Sequence, residues 1–385
     1  MSTIAIKRSC ASASRERAAT PASESLPLQI LATVMALSGV GLVMIYSASA
    51  ISGQDPLTQA DSFAYVKRQL LALIPGAIAM MLIARSDYRR LAKFSPVVLA
   101  AVLVLLVLVL VPSIGHVSHG ARRWIRFGGF GLQPSEFLKP ALILFAAGFV
   151  TRSGPRLGEF RRGFLPSMGI VLVSVGLVVA EPDLGTGLFI LAVSSTVFIV
   201  GGVKLRHVLP VVALAIPVVL FTMLSHFDYI QGRLESFRSG EPHYHVKQSL
   251  VALGSGGVLG QGLGAGRQKL YFLPEKSSDF IFAVLGEELG FAGSALVVVL
   301  YVALLALGFR AALRAPDLCG FLIAFGVSFA IALQAVMNIA VVTGSVPTKG
   351  ISLPFISLGG SSLLSTFLSV GLLLSVARRA TEADS

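Results

Sequence analysis

The stretch FSPVVLAAVLVLLVLVLVPS, residues 94–113, is almost wholly aliphatic and contains no charged side chain. A helix needs about 20 predominantly apolar residues to cross the hydrocarbon core of a bilayer, so this stretch predicts a transmembrane helix. Of the 385 residues in the chain, 55% are hydrophobic and only 13% are charged. Soluble domains carry about 25% charged residues. The chain is therefore predicted to be a membrane protein, and because backbone groups find no water inside a bilayer, it is predicted to be helical.

Similar apolar segments recur along the chain and predict an all-α, polytopic fold, a single bundle of about ten transmembrane helices. The predicted helices cover residues 28–50, 69–84, 94–113, 135–151, 164–180, 186–202, 206–226, 279–309, 318–343 and 356–377. A transmembrane domain at 28–378 would be flanked by a disordered basic cytoplasmic tail at 1–27 and a cytoplasmic tail at 379–385. The first tail lacks the apolar core and cleavage site of a signal peptide.

The net charge of +12 does not indicate nucleic-acid binding, because the basic residues lie in short loops between apolar segments. If the helices alternate in direction, 18 of the 31 basic residues fall on one side of the membrane. Short loops rich in lysine and arginine remain in the cytoplasm, so both termini are predicted to be cytoplasmic. The two cysteines, Cys10 and Cys319, provide neither a disulfide framework nor a metal-binding spacing.

The outer side is predicted to hold a large extracytoplasmic loop at 227–278, between the seventh and eighth helices. Shorter outer segments lie at 116–136, 181–186 and 344–354. Long loops of this kind are usually functional or disordered. The large loop contains the run GSGGVLGQGLGAG, residues 254–266. No strand precedes this run, so it does not match a dinucleotide-binding fingerprint, and it is predicted to lie along the membrane surface.

Three carboxylates lie at the start of the eighth predicted helix, in PEKSSDFIFAVLGEELG, residues 274–290. Ionisable residues at membrane helices indicate functional sites. Asp279 begins the helix and is either a cap residue or a base at the outer mouth of a membrane enzyme. Glu287 lies about 80° from Asp279 around the helix, and Glu288 about 180° away, so only Glu287 can approach the same site. Structural ion pairs or hydrogen bonds are the simpler role for both glutamates.

Two further motifs carry charge, one at the start of the fourth predicted helix and one in the outer segment before it. In LQPSEFLKP, residues 132–140, Glu136 and Lys139 lie on one helical face and predict an intramembrane salt bridge, with a phosphate contact by Lys139 as the alternative. In GARRWIRF, residues 120–127, arginines flank Trp124, the only tryptophan of the chain. This tryptophan is either an interfacial aromatic or a platform for a sugar beside a phosphate.

The remaining outer polar residues are only weak evidence for a functional site when each is taken alone. Lys349 is a further cation, and Glu181 with Asp183 forms only a weak signal for a divalent metal. Together, a carboxylate, several cations and one tryptophan beside lipid suit an anionic, lipid-linked sugar. Spacing alone does not distinguish such an enzyme from the mouth of a transporter.

Five motifs, in this order along the chain, carry a family resemblance: GARRWI, LQPSEFLKPALI, EPDLGTG, PEKSSDFIFAVLGEELGF and PTKGISLPFISLGGSSLL. The chain resembles the SEDS family of bacterial peptidoglycan polymerases, FtsW and RodA, over essentially residues 28–378. The YSASA end of the first helix, PTKG before the last helix and the basic tail are more similar to FtsW, the division enzyme, than to RodA, the elongation enzyme. Ser277-Ser278 replaces the usual His-Thr before the aspartate, and Leu358 replaces a usual tyrosine.

The resemblance implies a glycosyltransferase that polymerises lipid II at the outer leaflet of the bacterial cytoplasmic membrane, for the division septum. The 4-hydroxyl of the acceptor GlcNAc attacks the anomeric carbon of the donor MurNAc. Undecaprenyl diphosphate leaves, and the α-linkage is inverted to a β-1,4 linkage. The implied partners are a class B penicillin-binding protein, which is a transpeptidase, and other division proteins.

The motif matches also imply roles for individual residues. Asp279 matches the family's essential aspartate and is the candidate base, and Trp124 matches a tryptophan needed for activity and is assigned to substrate positioning. Four cations are candidates for the diphosphate on charge and side alone: Arg122, Arg123, Lys139 and Lys349. Three glutamates are assigned to support of the site: Glu136, Glu287 and Glu288. A divalent cation, Mg²⁺ or Mn²⁺, would share the work of stabilising the diphosphate, with ligands that the sequence does not identify.

Three alternatives stay open at the level of sequence. One is a flippase that moves lipid II across the membrane, since the same cations and cavity would serve a transporter. Another is an elongation enzyme of the RodA type. The third is a scaffold that only recruits division proteins, in which neutralising Asp279 would leave function intact.

Overall fold

The computed structural model describes residues 26–49, 63–118, 121–127, 130–226, 244–269, 273, 276–346 and 350–384. These ranges contain eleven α-helices and three short β-strands. The helices are α1 Leu26–Ser49, α2 Ala64–Arg85, α3 Tyr88–Leu110, α4 Pro134–Ser153, α5 Leu165–Ala180, α6 Leu184–Val200, α7 Leu205–His226, α8 Tyr244–Gly256, α9 Ile281–Leu313, α10 Leu318–Val342 and α11 Gly360–Asp384. The strands are β1 Gly115–Ser118, β2 Ala121–Phe127 and β3 Phe130–Leu132. A 3₁₀ turn, Gly154–Gly158, and a π turn, Phe160–Phe164, connect α4 to α5.

Each of the ten predicted helical segments overlaps one of these helices, and α8 is an additional short helix within the predicted outer loop. Seven helices among the described residues are long and apolar enough to cross a membrane. The number of crossings therefore stays a prediction. Helix α11 continues through the predicted C-terminal tail to Asp384. Residues 1–25 of the predicted N-terminal tail lie outside the described residues.

Most residues of helices α4 and α10 are buried, and small residues allow these helices to pack closely against their neighbours. A Cβ atom added at Gly326 of α10 would come within 2.9 Å of Ile143 on α4 and 3.0 Å of Val197 on α6. A Cβ atom at Gly148 of α4 would come within 2.8 Å of the backbone oxygen of Ala92 on α3. Glycine at such positions brings membrane helices together without a side chain between them.

The loops predicted to be cytoplasmic meet at one end of the bundle. Asp317 caps α10 by accepting from the backbone N–H of Gly320 at 2.7 Å, and it also accepts from Arg89 Nε of α3 at 2.6 Å. Arg379 of α11 lies 3.1 Å from the carboxylate of Asp87, the N-cap residue of α3. The basic loops thus share one end, as alternating helices require, and the predicted outer segments lie at the other end.

The prediction of an all-α fold was wrong for residues 115–118, 121–127 and 130–132, which form a three-stranded antiparallel sheet in the order β1-β2-β3. Strand β2 pairs Trp124 with His116 of β1 and Ile125 with Leu132 of β3. Ala121 and Ile125 are buried. The period-two alternation of ARRWIRF is typical of a half-buried strand. A sheet is possible here because the segment lies beyond the helix ends, where the constraint imposed by the bilayer no longer applies.

Candidate active site

Asp279 lies in a turn, residues 276–280, immediately before α9. Helix α9 begins at Ile281 with Phe280 as its N-cap, so the expectation that Asp279 begins this helix was wrong by two residues. The side chain is partly buried and lies against Gly350, where an added Cβ atom would come within 3.0 Å of Asp279 Oδ2. The backbone oxygen of Asp279 accepts from Asn338 Nδ2 at 2.8 Å. Asp279 is therefore held between α10 and the segment before α11.

Residues 351–359 attach this turn through backbone carbonyl groups. Leu358 N donates to Ser277 O at 2.8 Å, and Ser357 Oγ donates to Ser278 O at 2.6 Å. Ser357 Oγ in turn accepts from Leu353 N at 2.8 Å. Because the bonds of Ser277, Ser278 and Leu358 use backbone atoms, they place no demand on the side chains at those positions.

A second anchor runs from the predicted ion pair on α4. Lys139 Nζ lies 2.9 Å from Glu136 Oε1 and donates to Gln334 Oε1 of α10 at 3.1 Å. Gln334 Nε2 donates to Ser352 O at 2.9 Å. The predicted Glu136–Lys139 ion pair is thus present, and it is joined through α10 to the segment that contacts Asp279. The ammonium of Lys139 has protein partners and is mostly buried.

The small sheet reaches the same end of the bundle through the start of α11. Ser361 Oγ accepts from Gln133 N at 3.0 Å and donates to Gly131 O at 3.1 Å. The next residue of α11, Ser362, shares a hydrogen bond of 2.7 Å between its Oγ and Ser352 Oγ. Trp124 packs over Gly131, where an added Cβ atom would lie 3.1 Å from its ring. The structure therefore brings the sheet with Trp124 and the turn with Asp279 to one end.

Arg123 of β2 binds the turn between α5 and α6 rather than standing open to solvent. Its Nε donates to Glu181 O at 3.0 Å, its guanidinium also donates to Pro182 O, and Nη1 lies 3.8 Å from Asp183 Oδ2. Asp183 caps α6 by accepting from Thr186 N at 3.1 Å. Asp183 is therefore the cap of α6, and Arg123 joins the turn between α5 and α6 to the sheet.

Glu181 is fully buried, and within the described part of the chain neither carboxyl oxygen has a hydrogen-bond partner. Burial, reinforced by the charge of Asp183 and opposed by Arg123, raises the pKa of Glu181 from 4.5 to about 9. Desolvation disfavours the charged form of a carboxyl group, so Glu181 is neutral at pH 7.

Glu181→Gln should therefore leave the protein as stable as the wild type or more stable at about pH 7.5. Between pH 4.5 and about 9 the folded state keeps a proton that the unfolded state releases, so this carboxyl costs stability that grows as the pH rises. Thermal midpoints in detergent, measured from about pH 5 to about pH 8, should show the advantage of the variant growing with pH. A midpoint lowered by Glu181→Gln at the upper end of this range would show that the carboxylate is ionised and partnered.

Helix α9 breaks at Gly290, whose φ of 67° and ψ of −163° are not helical. The glycine run, residues 254–266, wraps this break. Gln261 N donates to Glu287 O and Gly262 N to Glu288 O, both at 3.0 Å, and Phe291 N donates to Gly257 O at 2.9 Å. The run thus supplies the backbone partners that the broken helix lacks.

The two glutamates before the break hold the loop from two sides. Glu287 Oε1 accepts from the backbone N–H groups of Arg267 at 2.7 Å and Gln268 at 3.1 Å. Glu288 Oε1 pairs with Lys269 Nζ at 2.5 Å, and both of these side chains are fully buried. The glutamates thus bind residues 264–269, on the chain path that leads to Asp279.

Gly260→Ala should destabilise the protein far more than Gly264→Ala. Both glycines have φ near +80°, which costs an L-residue about 1–2 kcal/mol. An added Cβ atom at Gly260 would lie 2.1 Å from Glu288 O, whereas nothing lies within 4 Å at Gly264. Overpacking against backbone adds about 1–3 kcal/mol. Thermal midpoints of the two variants measure this difference, and equal midpoints would contradict the close packing of the loop on α9.

Lys276 is a cation of the site region that the sequence analysis did not single out. Its Nζ donates to Lys269 O at 2.6 Å. Burial, followed by the charge of Lys269, lowers the pKa of Lys276. The signal in the sequence was a lysine three residues before Asp279. Lys349, one of the four candidate diphosphate cations, lies outside the described residues.

The described residues contain no group of three or more histidine, cysteine, aspartate or glutamate side chains that could hold a metal ion.

Arg122 lies on β2 with its side chain partly exposed. Within the described ranges, the geometry thus combines one carboxylate fixed by backbone contacts with cations that mostly have protein partners.

Comparison with known proteins identifies the family. The family model for FtsW, RodA and SpoVE, described as a cell cycle protein, matches residues 28–382. The chain belongs to this family. Stage V sporulation protein E of Bacillus subtilis (strain 168) is 41% identical over 358 residues, which cover 91% of this chain and 96% of that protein. A probable peptidoglycan glycosyltransferase FtsW of Geobacter metallireducens is 39% identical over 92% of this chain and 96% of that protein.

Solved structures of relatives agree with this family assignment. A chain from a peptidoglycan synthase complex that coordinates polymerization and crosslinking matches with a TM-score of 0.74 at 30% identity, covering 91% of this chain and 97% of that chain. RodA of Thermus thermophilus matches with a TM-score of 0.66 at 30% identity, covering 91% of this chain and 95% of that chain. The chain is accordingly an enzyme of the peptidoglycan glycosyltransferase class with a multi-pass inner-membrane fold.

Three of the SEDS motifs, at residues 132–143, 274–291 and 347–364, contain Asp279 or residues bonded in the network around it. Sequence analysis predicted the motif positions but did not single out the polar side chains that join them. These residues are Gln334, Asn338, Ser352, Ser357, Ser361 and Ser362. Gln334 and Asn338 lie four apart on an otherwise apolar helix, which is a signal that could have found them.

Proposed function

We propose that this SEDS protein polymerises lipid II into glycan strands for the division septum, with Asp279 as the general base. The observation that carries the proposal is the carboxylate of Asp279, fixed at the predicted outer end by Asn338 and by backbone contacts of residues 351–359. A general base must lie where it can take a proton in a defined geometry. A carboxylate on a backbone held from two sides meets this requirement.

In the proposed reaction the acceptor 4-hydroxyl gives its proton to Asp279 as its oxygen bonds to the anomeric carbon of the donor. The bond from that carbon to the diphosphate breaks, and undecaprenyl diphosphate leaves with the electron pair. Attack opposite to the leaving group inverts the α-linkage to a β-1,4 linkage. No covalent enzyme intermediate is needed, which agrees with a site built on one carboxylate.

The leaving diphosphate needs positive charge. Lys139 and Arg123 already have carboxylate or carbonyl partners, so their expected part is to orient the site. Arg122 and Lys349 are the cations that we assign to the diphosphate, since Lys276 already donates to Lys269 O. Trp124 is assigned to substrate positioning because its sheet joins the Asp279 region through Ser361.

A divalent cation, Mg²⁺ or Mn²⁺, would neutralise charge on the diphosphate. The described residues fit a complete protein-held metal site poorly. Asp183 is engaged by Thr186 and Arg123, and Glu181 is buried and neutral. Mg²⁺ is commonly held by one or two carboxylates together with substrate phosphates. We therefore assign most of the ligands to substrate and route no step through the metal.

The proposed partners are lipid II and a class B penicillin-binding protein that crosslinks the product. A relative in the solved synthase complex belongs to a machine that joins polymerization to crosslinking. The proposed location is the division septum, with both termini in the cytoplasm. This orientation is supported by the gathering of the basic loops at one end of the bundle.

The experiment adds lipid II with a fluorescent label and Mn²⁺ to the purified chain with its transpeptidase partner, and resolves glycan length on a gel. A ladder of products supports the polymerase. A parallel assay in sealed vesicles measures movement of lipid II between leaflets. Movement without a ladder would replace the polymerase with a flippase, the second candidate function. Comparing septal with lateral wall labelling in cells lacking this protein would separate the division role from an elongation role.

A further inference from the structure

Asn338 joins two segments that meet at Asp279. It lies on α10 with its side chain 1% exposed. Its Nδ2 donates to Asp279 O at 2.8 Å and to Ile351 O at 2.7 Å. The two carbonyl groups belong to parts of the chain that are far apart in sequence. One amide group therefore sets the spacing between the turn before α9 and the segment before α11.

The orientation of this amide is determined by its partners. Both nearby groups are carbonyl oxygens, which only accept hydrogen bonds, so the NH₂ side of Asn338 must face them. The Oδ1 atom is buried and has no partner among the described residues. A buried acceptor without a partner costs free energy. The side chain is thus not arranged for stability alone.

The fixed spacing acts on the carboxylate of Asp279. Ile351 directly follows Gly350, and Gly350 is the residue against which Asp279 Oδ2 lies. Asn338 therefore fixes the backbone on both sides of this contact. We propose that Asn338 is a positioning residue that sets the place of the Asp279 carboxylate relative to the acceptor hydroxyl. The proposal rests on the proposed function of Asp279 as base.

Other contacts hold the turn when Asn338 is changed. The bonds from Leu358 N to Ser277 O and from Ser357 Oγ to Ser278 O are independent of Asn338. Loss of the amide should therefore move the carboxylate by a small distance and leave the fold in place. Small displacements of reacting groups reduce rate strongly, because catalysis depends on the geometry of approach.

The test compares Asn338→Asp with the wild type, each purified as the full chain with its transpeptidase partner. Initial rates of glycan formation are measured over a range of lipid II concentrations and from about pH 5.5 to about pH 8.5. Near neutral pH we expect kcat to fall by about 10–100-fold, with KM changed by less than about twofold. The introduced carboxyl donates only when it is protonated. The ratio of variant to wild-type kcat should therefore rise as the pH falls.

Two further variants complete the design. Ser249→Ala is the matched control, since it also removes a buried side-chain donor to a backbone oxygen of α10, Val342 O at 2.7 Å, but the lost bond joins α8 to α10 and does not involve the turn of Asp279 or residues 351–359. Its kcat should match the wild type. Gly350→Ala places a methyl group within 3.0 Å of Asp279 Oδ2 and should lower kcat even if Asn338→Asp fails to fold.

The outcomes separate the two proposals. If the wild type forms glycan and Asn338→Asp has the same kcat at every pH, the positioning role alone would be overturned. An equal loss in Ser249→Ala, or normal kcat in Gly350→Ala, would also overturn it. Absence of polymer from the wild type, with lipid II still moved between leaflets, would instead overturn the proposed polymerase.

Discussion

Asp279→Asn should abolish measurable glycan formation while the protein still folds and binds lipid II. Removal of a general base costs about 10²–10⁴-fold in rate, and asparagine keeps the size of the side chain while losing its basicity. The contact of Oδ2 with Gly350 and the bond from Asn338 to the backbone do not require a charge. The measurement is the glycan ladder of the wild type beside that of the variant, with thermal midpoints to confirm folding.

Asp87→Asn is the matched control for this change. Asp87 is the N-cap residue of α3, so it lies beside a helix start as Asp279 does, but at the opposite end of the bundle. Asparagine is as good an N-cap as aspartate, so only the ion pair with Arg379 is lost. This control should keep wild-type activity. A full ladder from Asp279→Asn would remove Asp279 from the chemistry and favour a scaffold or a flippase.

Lys269→Met should be the most destabilising single change among those considered. Lys269 and Glu288 form an ion pair at 2.5 Å with both side chains fully buried, and Ser47 Oγ lies within hydrogen-bond distance of both. Removing one partner of a buried pair leaves an uncompensated charge and costs about 3–5 kcal/mol. Thermal inactivation in detergent should therefore begin at a clearly lower temperature. The loop that precedes Asp279 should also become more accessible to protease.

A double change separates the charge effect from the loss of packing. Lys269→Met combined with Glu288→Gln removes both charges, and it should recover much of the lost stability because no buried charge remains. Arg378→Met is the control, since it breaks an ion pair with Glu382 in which the two side chains are 43% and 54% exposed. Exposed pairs contribute about 0–1 kcal/mol, so this variant should stay close to the wild type in stability. A double variant less stable than Lys269→Met would contradict this account.

The features predicted correctly from the sequence are those that depend only on residues close together in the chain. Apolar runs predicted where helices lie because the bilayer requires long apolar helices, and each predicted segment overlaps a helix of the structure. The Glu136–Lys139 pair was predictable because residues three apart lie on one helical face whatever the tertiary fold. The family motifs predicted Asp279 as the residue to examine.

Predictions were weaker where partners are distant in the chain. The strand at Trp124 was missed because residues 116–136 were predicted as an outer segment without secondary structure, whereas the strand pairs with β1 and β3. The start of α9 was placed two residues early because Asp279 is a favourable cap residue by itself. In the structure the backbone oxygen of Asp279 instead accepts a hydrogen bond from Asn338, which is 59 residues away.

The sequence by itself determined that this chain is a helical membrane protein and to which family of enzymes it is similar. It also determined which loops carry the basic residues and share one side of the membrane. These follow from hydropathy, charge and motif order, and none requires knowledge of contacts. Only the tertiary structure decided which polar groups meet. Three examples are the pairing of Glu288 with Lys269, the burial of Glu181 and the hydrogen bond from Asn338 to Asp279 O. Each depends on segments that are far apart in sequence and pack side by side. In a low-dielectric interior a buried polar group without a nearby partner costs free energy, and the fold alone determines which partner is near.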